Sequence, residues 1–471
     1  MSYLGEVKVL GKGLWIRLWL LGLLSAVLYA VNLSVGDALT WLGILGVPPQ
    51  KIVSHLILLV PISLFYLLAL RFLRGVGEES SKGHILGILL FALLFRLPLI
   101  PQTPVLSSDL YRYLWDGKVQ VSGEMNPYLY PPGNKRLTFL RDERIYPNIN
   151  RKEARTVYPA GAQLLFQAGY LLDLDTPAKF KAAALVAEAL MLFMLVLILR
   201  EVRLPQSLVL IYAWNPLVIY ELFHSGHIES LMLPPLLAFV YFFLRSQPMR
   251  AGAALGLAAA IKFVPALLLV VIPPGKRLKT ILPFLLVVAL AYLPYAGAAG
   301  KILGFLPTYF SDPNEIFNPG LVQAGLLQAT KAFSIPSPWI RYILFTLLLA
   351  FLFPVARRRD QAPIDLIPKL YLVLSAYLVL IYPALHPWYL CLMIPFLCLT
   401  PSRAWLYLSL VVPLSYLKYL IPDGVMPSWI IWVEFAPLYV LLALEHISTK
   451  TPNERRFKWS LATPLPSSTT F

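Results

Sequence analysis

A short polar segment contains the residue types of acid–base and anion-binding chemistry. It spans Ser107–Gly117 and reads SSDLYRYLWDG. Four of its side chains recur at i, i+3, i+4 and i+7, the spacing of one helical face: Asp109, Arg112, Tyr113 and Asp116. A carboxylate in such a segment can act as a general base, and a guanidinium can bind an anion. Asp109 is therefore the candidate catalytic residue, and the other three are candidate substrate-binding residues.

The same residues also allow ordinary structural interpretations. Asp109 would sit in the first turn of the predicted helix, where a negative charge complements the helix dipole. Arg112 and Asp116 would form an i,i+4 ion pair. The concentration of two carboxylates, an arginine and several tyrosines just after an apolar run, in a chain poor in charge, favours a functional role.

Two further clusters place histidine in connections between apolar runs. HSGHIE contains His224, His227 and Glu229, and HPWY contains His386 and Tyr389. All five are candidate contacts to a sugar or a phosphate. The two histidines of HSGHIE could share a metal ion only on a helix, which the intervening glycine interrupts, and a solvated turn is a third interpretation. We predict no metal-ligand set from these spacings.

The apolar segment 250–273 differs from the others because Lys262 and Pro265 interrupt its middle. A continuous membrane span would bury the ammonium group and break the helical hydrogen-bond ladder. Both ends of the segment are basic. A re-entrant hairpin would keep both ends on one side of the membrane, with Lys262 lining a polar cavity. We predict the hairpin, and a full span is the alternative.

The elements that must position these groups are dominated by apolar residues. Of 471 residues, 58% are hydrophobic and 14% are charged, against roughly 45–50% and about 25% in soluble domains. Repeated runs near the ~20 residues that cross a bilayer predict an all-α polytopic membrane protein. The formal charge of +16 lies in short connections, and no basic stripe with interleaved aromatics indicates a nucleic-acid partner.

About twelve apolar runs are predicted to be transmembrane helices. They lie near 14–33, 52–73, 84–101, 179–200, 204–222, 227–245, 277–295, 339–356, 366–385, 388–400, 403–420 and 427–446. The predicted divisions are a cytoplasmic tip with two transmembrane helices (1–83), a core (84–400), C-terminal transmembrane helices (401–448) and a disordered cytoplasmic tail (449–471).

With the hairpin, the basic connections fall on the cytoplasmic side, as the positive-inside rule favours. Two long external segments then remain, 102–178 and 296–338. The first has seventeen charged residues and is predicted to form interfacial helices. This topology puts the candidate site on the extracytoplasmic face of the plasma (inner) membrane.

The ordered set of motifs resembles the integral-membrane GT-C glycosyltransferases, in particular the polyprenyl-phosphate-mannose-dependent α-mannosyltransferases of bacterial envelopes. The resemblance covers roughly residues 84–400. The residues that carry it are 109–117, Asn126-Pro127-Tyr128, Tyr158-Pro159, Trp214-Asn215-Pro216, Gly226-His227-Ile228-Glu229, Lys262 and His386-Pro387-Trp388-Tyr389. The resemblance adds Asn126 and Tyr128 to the candidate substrate-binding residues.

The resemblance implies a GT-C-like helix bundle around a catalytic core, and transfer of a hexose, with mannose suggested, from a polyprenyl-phosphate donor to a hydroxyl of a glycan or glycolipid. A single displacement with inversion needs one general base, Asp109, and cations for the leaving phosphate. Some GT-C families have an acidic pair where Asp109 stands alone after two serines. This departure leaves metal dependence open, so we assign no required cofactor, and a divalent cation, Mg²⁺ or Mn²⁺, is the alternative.

Two rival functions share many of these features. A transporter or flippase of lipid-linked sugars would have polar or unwound segments near the membrane midplane, and only Lys262 fits that pattern well. An undecaprenyl-diphosphate glycan ligase or polymerase would need much the same groups. The charged external segment 102–178 favours the transferase.

Overall fold

Apolar helices form nearly all of the computed structural model, which describes residues 3–32, 49–73, 82–309, 317–333, 339–358, 362–381, 384–421 and 424–448. All regular structure in these ranges is helical. Six helices there are long and apolar enough to cross a membrane: Ile52–Leu73, Pro177–Glu201, Pro274–Lys301, Trp339–Arg357, Pro363–Leu380 and Ser428–Ile447. Four shorter apolar helices are Trp15–Ala30, Gly83–Leu99, Glu229–Leu244 and Pro248–Ile261. The predicted tail 449–471 lies outside the described residues.

The α-helices are numbered in chain order. The first nine are α1 Tyr3–Ala30, α2 Pro49–Leu73, α3 Lys82–Arg96, α4 Asp109–Val121, α5 Ala160–Leu171, α6 Pro177–Glu201, α7 Leu210–Ala213, α8 Pro216–Ile219 and α9 Glu229–Leu244. The others are α10 Pro248–Ile261, α11 Pro274–Tyr292, α12 Leu306–Tyr309, α13 Gly320–Ala332, α14 Trp339–Arg357, α15 Leu366–Leu380, α16 Ile394–Leu397, α17 Arg403–Val411 and α18 Ser428–Ser448.

Three of the predicted spans are not continuous α-helices. The run 204–222 is divided by Asn215, whose side chain accepts from the N–H groups of Leu217 and Val218 and so begins α8. The runs 388–400 and 403–420 contain short helices and 3₁₀ turns. Proline explains the interruptions, because it removes an N–H donor and clashes with the preceding turn.

The segment 250–273 turns back on itself within the protein. A Cβ atom on Gly252 would lie 2.0 Å from the carbonyl oxygen of Thr280, and one on Gly256 would lie 2.8 Å from that of Phe284. Because both residue numbers rise together, α10 and α11 run in the same direction with backbones in close contact. Lys262 is extended, and the 3₁₀ helix Val264–Val271 returns the chain to the start of α11.

Helix α4 contains the predicted face from Asp109 to Asp116 but is more buried than an interfacial helix would be. Ser108 occupies the N-cap position without a side-chain capping bond, and residues Leu110–Gly117 are all buried. Helix α5 packs along it, where a Cβ on Gly117 would lie 2.4 Å from the Phe166 carbonyl oxygen. Instead of lying on the surface, α4 is held inside the protein with its first turn at a cavity.

A buried lysine of α6 fixes the two connections that lead into the candidate site. The Lys181 ammonium donates to the carbonyl oxygens of Leu99, Gln102 and His224, at 2.9, 2.6 and 3.3 Å. Leu99 and Gln102 precede α4, and His224 ends the turn before α9. The approach to Asp109 and the HSGHIE segment are therefore held against each other by one side chain.

Candidate active site

A cavity of about 1130 Å³ joins the first turn of α4 to the membrane-spanning helices. Its walls come from the start of α4, the loop 150–159, the bend at Lys262, the start of α9, and the chain around 305–309, 341–348, 377–389 and 418–419. One end is polar and the other is apolar. The polar end gathers seven predicted residues: Asp109, Arg112, Tyr113, Glu229, Lys262, His386 and Tyr389.

Asp109 lies at the first position of α4, with its side chain 23% exposed. One carboxylate oxygen is 3.4 Å from the Asn150 amide nitrogen, and the other is 3.8 Å from Nδ1 of His227. The backbone N–H of Asp109 donates to the Ser107 hydroxyl at 3.3 Å. This carboxylate is the one on the α4 face that reaches the cavity, as a general base must.

Arg112 is fixed in place before any substrate binds. Its Nε donates to Asp116 at 2.8 Å, and one of its terminal nitrogens donates to the Ala154 carbonyl oxygen at 3.0 Å. Asp116 is 1% exposed and also accepts from the Gln163 amide at 2.9 Å. The predicted i,i+4 pair is therefore present, with Arg112 at the cavity and Asp116 behind it.

Two phenols lie beside Asp109. The rings of Tyr113 and Tyr158 meet edge to face, with centroids 4.9 Å apart. Burial, together with the nearby Asp109 carboxylate, raises the pKa of both hydroxyls well above the ordinary tyrosine value. Both hydroxyls therefore stay protonated and can donate hydrogen bonds to a sugar or phosphate oxygen.

Lys262 extends into the opposite wall of the polar end. Its ammonium is bonded to the Glu229 carboxylate, which is 1% exposed, and lies 4.4 Å from the centre of the Tyr389 ring. The extended backbone at Lys262, between α10 and the 3₁₀ turn, allows this reach. The bend predicted from Lys262 and Pro265 thus brings a cation to the cavity.

Four rings form a stacked column at the cavity wall. His227 stacks on Trp388 with centroids 4.0 Å apart, Trp388 on His386 at 4.3 Å, and His386 on Phe317 at 4.7 Å. Both faces of Trp388 are covered, so only its edge is available to a ligand. Burial, followed by nearby cationic groups, lowers the pKa of His386 to about 3. His386 is therefore neutral and can act as a hydrogen-bond donor or acceptor, one of the two roles that the sequence leaves open for it.

Several predicted site residues lie behind the cavity wall. Asn126 accepts from the backbone N–H of Tyr128, and the Tyr128 hydroxyl donates to the Tyr158 carbonyl oxygen at 2.8 Å. His224 is 1% exposed and its ring lies 4.6 Å from that of His55. These three residues hold the loops that carry the cavity residues.

The structure adds cations that were not among the predicted site residues. Arg151, Arg155, Arg341 and Lys418 all line the cavity. The first two come from the charged segment 102–178, where no periodicity distinguishes them from neighbouring arginines. The other two come from regions more than 180 residues away from Asp109 along the chain. Only the tertiary fold reveals that they share one cavity.

The apolar end is a groove between α14, the end of α15 and the 3₁₀ turn. Its lining residues are Val264, Leu267, Leu344, Phe345, Leu348, Leu380 and Ile381. Phe345 is 57% exposed, so the groove reaches the outer surface of the helix bundle.

A divalent cation in this cavity would bind to its carboxylates. Among the residues that the structure describes, no three His, Cys, Asp or Glu side chains are grouped so that they could hold a metal ion. Asp109 instead faces an amide and an imidazole, and Glu229 faces an ammonium.

The helical fold with its long apolar helices and a cavity polar at one end and apolar at the other defines an integral membrane protein with an internal site. Residues 16–273 match the family described as alpha-(1→6)-mannopyranosyltransferase, N-terminal domain. The match covers more than half of the sequence, so the chain belongs to this family of GT-C membrane mannosyltransferases, and the resemblance seen in the sequence is confirmed. No curated protein and no solved structure matches the chain.

Proposed function

We propose that this mannosyltransferase takes its hexose, mannose, from a polyprenyl-phosphate donor and transfers it to a hydroxyl of a glycan or glycolipid at the extracytoplasmic face. The observation that carries the proposal is the continuity of the cavity. One space leads from Asp109, past Lys262, into an apolar groove between α14 and α15. A lipid-linked sugar has the same order of parts: a reactive sugar, a phosphate and a hydrocarbon chain.

The groove supports a lipid donor over a soluble nucleotide-sugar. Its walls are aliphatic and aromatic, and Phe345 lies exposed towards the bilayer. An isoprenoid chain could enter this groove from the bilayer without leaving an apolar environment, so its contacts there would be van der Waals packing against the groove walls. A nucleotide would leave its ribose and base against the same apolar side chains with polar groups unsatisfied.

The chemistry is a single displacement at the anomeric carbon. The acceptor oxygen forms a bond to this carbon as the bond to the phosphate oxygen breaks, and the electron pair leaves with the lipid phosphate. Asp109 takes the proton from the acceptor hydroxyl. Its partial exposure and its place at the polar end of the cavity support this role.

The lipid phosphate gains negative charge during the reaction, and the cavity contains fixed groups that can meet it. Lys262 lines the cavity next to the groove. Arg112 of α4 and Arg155 of the loop 150–159 line the same cavity. Tyr389 and Tyr113 add hydroxyl donors. Because Arg112 is already held by Asp116, its reorganisation cost at the moment of reaction is small.

The remaining predicted residues are proposed to support these groups. Neutral His386 would donate to or accept from a sugar hydroxyl, and Glu229 would orient Lys262. Asn126, Tyr128 and His224 would position the loops through the contacts described above.

The proposed membrane topology has about twelve crossing segments, several of them broken, and a re-entrant hairpin at 250–273. The shared direction of α10 and α11 supports the hairpin, as does the 3.5 Å approach of Lys276 to Ser246 next to the two basic flanks. With those flanks in the cytoplasm, the bend at Lys262 and the start of α4 point to the extracytoplasmic side of the plasma membrane.

The test uses purified protein in proteoliposomes with radiolabelled polyprenyl-phosphate-mannose and a membrane extract as the source of acceptor. We expect label to enter a new glycan or glycolipid, and Asp109→Asn to lower the transfer rate by about 10²–10⁴-fold. Asp142→Asn is the matched control, because Asp142 lies in the same external segment but bonds Lys118 outside the cavity lining.

Three outcomes would contradict the proposal. Label that crosses the bilayer without entering a new product would indicate a flippase. Transfer only from a diphosphate-linked glycan would indicate a ligase or polymerase. Near-normal transfer by Asp109→Asn would remove Asp109 as the base.

A further inference from the structure

His227 lies between two carboxylates, and the second of them has no role in the mechanism above. Its Nδ1 is 3.8 Å from Oδ2 of Asp109, and its Nε2 is 3.4 Å from Oε2 of Glu221. Glu221 and His227 are each 1% exposed. The other oxygen of Glu221 accepts a hydrogen bond from the Tyr416 hydroxyl at 2.7 Å. A buried chain therefore leads from Asp109 through His227 to Glu221.

The local backbone brings the two side chains together. Residues Tyr220–His224 form a π-helical turn, a rare conformation often found at functional sites. Gly226 follows with φ +78°, and a Cβ there would lie 2.8 Å from the Leu110 side chain. The backbone N–H of His227 then donates to the Glu221 carbonyl oxygen at 3.1 Å. Any residue other than glycine would strain this turn.

The imidazole is also held from the side. Its ring stacks on Trp388 at 4.0 Å with an interplanar angle of 16°. The stack allows the imidazole to shift parallel to the indole plane but restricts rotation out of that plane. Its two nitrogens and Oε2 of Glu221 are buried and lie slightly beyond hydrogen-bond distance of a partner. Unsatisfied buried polar groups are costly, and catalytic hydrogen bonds often shorten only when the substrate binds. A shift of less than 1 Å would bring both contacts into range.

We propose that His227 and Glu221 are positioning residues for Asp109: as an imidazolium with an N–H on each nitrogen, His227 donates from Nε2 to Glu221, which fixes the ring, and from Nδ1 to one oxygen of the Asp109 carboxylate. The other oxygen then faces the acceptor hydroxyl. This inference rests on the proposed role of Asp109 as general base. Neither Glu221 nor His227 is among the residues that line the cavity in the described part of the chain, so both act through Asp109 and not on the substrate.

The arrangement explains why a carboxylate is buried at this depth. A lone buried charge would cost several kcal/mol, and besides the Tyr416 hydroxyl the group that faces the Glu221 carboxylate is the His227 imidazole. Glu221 provides an acceptor for Nε2–H, which a residue orienting an imidazole must supply. The same logic holds for the aspartate that orients histidine in serine-protease triads.

The experiment compares Glu221→Gln and His227→Phe with the parent protein, using radiolabelled polyprenyl-phosphate-mannose and octyl α-mannoside as acceptor. Phenylalanine preserves the stack on Trp388 and removes both nitrogens. We expect kcat to fall about 10²-fold, within the 10²–10⁴ that general-base catalysis contributes, and KM for both substrates to stay the same. Glu434→Gln is the control, because Glu434 is fully buried and bonds the Asn318 amide instead. Its kcat should stay near the parent value.

A double-mutant cycle separates positioning from a structural role. If His227 acts through Asp109, His227→Phe should have little further effect on the residual rate of Asp109→Asn. Multiplicative losses in the double variant would overturn the inference, as would a raised KM with unchanged kcat. A fall in kcat that parallels a fall in thermal stability would also overturn the inference.

The two proposals fail in different ways. Full activity of Glu221→Gln and His227→Phe, with Asp109→Asn inactive, would overturn only the positioning role. An active Asp109→Asn would overturn the base assignment itself.

Discussion

Replacing Lys262 with methionine tests whether one side chain serves both stability and catalysis. Methionine preserves most of the aliphatic length and removes the charge. The Glu229 carboxylate is 1% exposed and would lose the ammonium that it binds. The buried partner is therefore the one left unpaired, since Lys262 itself is 23% exposed. Breaking a buried ion pair by removing one partner typically costs about 3–5 kcal/mol. We expect the free energy of unfolding in detergent to fall by about that amount.

A second variant distinguishes the two roles of Lys262. In Lys262→Met/Glu229→Gln neither charge remains, so most of the lost stability should return. Transfer should not return. If Lys262 meets the developing phosphate charge, its loss costs about 10²–10³-fold in kcat in the single and the double variant alike. The assays are denaturation followed by intrinsic fluorescence and the proteoliposome transfer reaction.

The control is Lys118→Met, which breaks the more exposed pair with Asp142. Those side chains are 19% and 29% exposed, so the loss of stability should be within about 1 kcal/mol and activity should persist. Recovery of transfer in Lys262→Met/Glu229→Gln would refute the catalytic role. Unchanged stability in Lys262→Met would refute the importance of the pair.

Three further predictions concern packing, pH and metal ions. Gly252→Ala places a Cβ 2.0 Å from the Thr280 carbonyl oxygen and should cost at least 1–3 kcal/mol by thermal denaturation, roughly the range for overpacking, whereas Gly275→Ala, with no atom within 4 Å, should not. Burial opposes ionisation of Asp142, but backbone N–H donors and Lys118 outweigh it and lower its pKa. The stability from this group is therefore fully present above the unfolded pKa of about 3.9 and is lost as the pH falls through the lower folded pKa, so the stability difference between parent and Asp142→Asn should shrink progressively below about pH 4 in acid denaturation. Excess EDTA should leave transfer intact, because the cavity carboxylates face nitrogen groups; loss restored by Mg²⁺ or Mn²⁺ would contradict this.

Local features of the site could be predicted because their signals are local. The helical spacing from Asp109 to Asp116 predicted the helix that the structure places at Asp109–Val121. A lysine and a proline in one apolar run predicted the bend after Ile261. Both signals need only the 3.6-residue period and the cost of burying charge or breaking a helix.

What could not be predicted depends on contacts distant in sequence. To predict that Asp116 is buried, one would need to know that Gln163 lies beside it. To predict that both faces of Trp388 are covered, one would need to know that His227 stacks on it. The sequence offered a signal for Glu221, since an acidic residue inside an apolar run marks a functional site. Glu221 lies near the end of the predicted span 204–222, and this position alone does not indicate that its partner is His227.

The two halves of the chain contribute different parts of the site. The region that matches the mannosyltransferase family, residues 16–273, contains Asp109, Arg112 and the bend at Lys262. The groove walls on α14 and α15 lie after residue 273. So do three of the four stacked rings, including Trp388. The proposed base and the proposed phosphate-binding groups are thus in the region that matches the family, whereas most of the proposed lipid groove lies outside it. Substitutions in the groove, such as Leu348→Trp, should therefore change the preferred donor chain length in the proteoliposome assay, while Asp109 continues to take the proton from the acceptor hydroxyl.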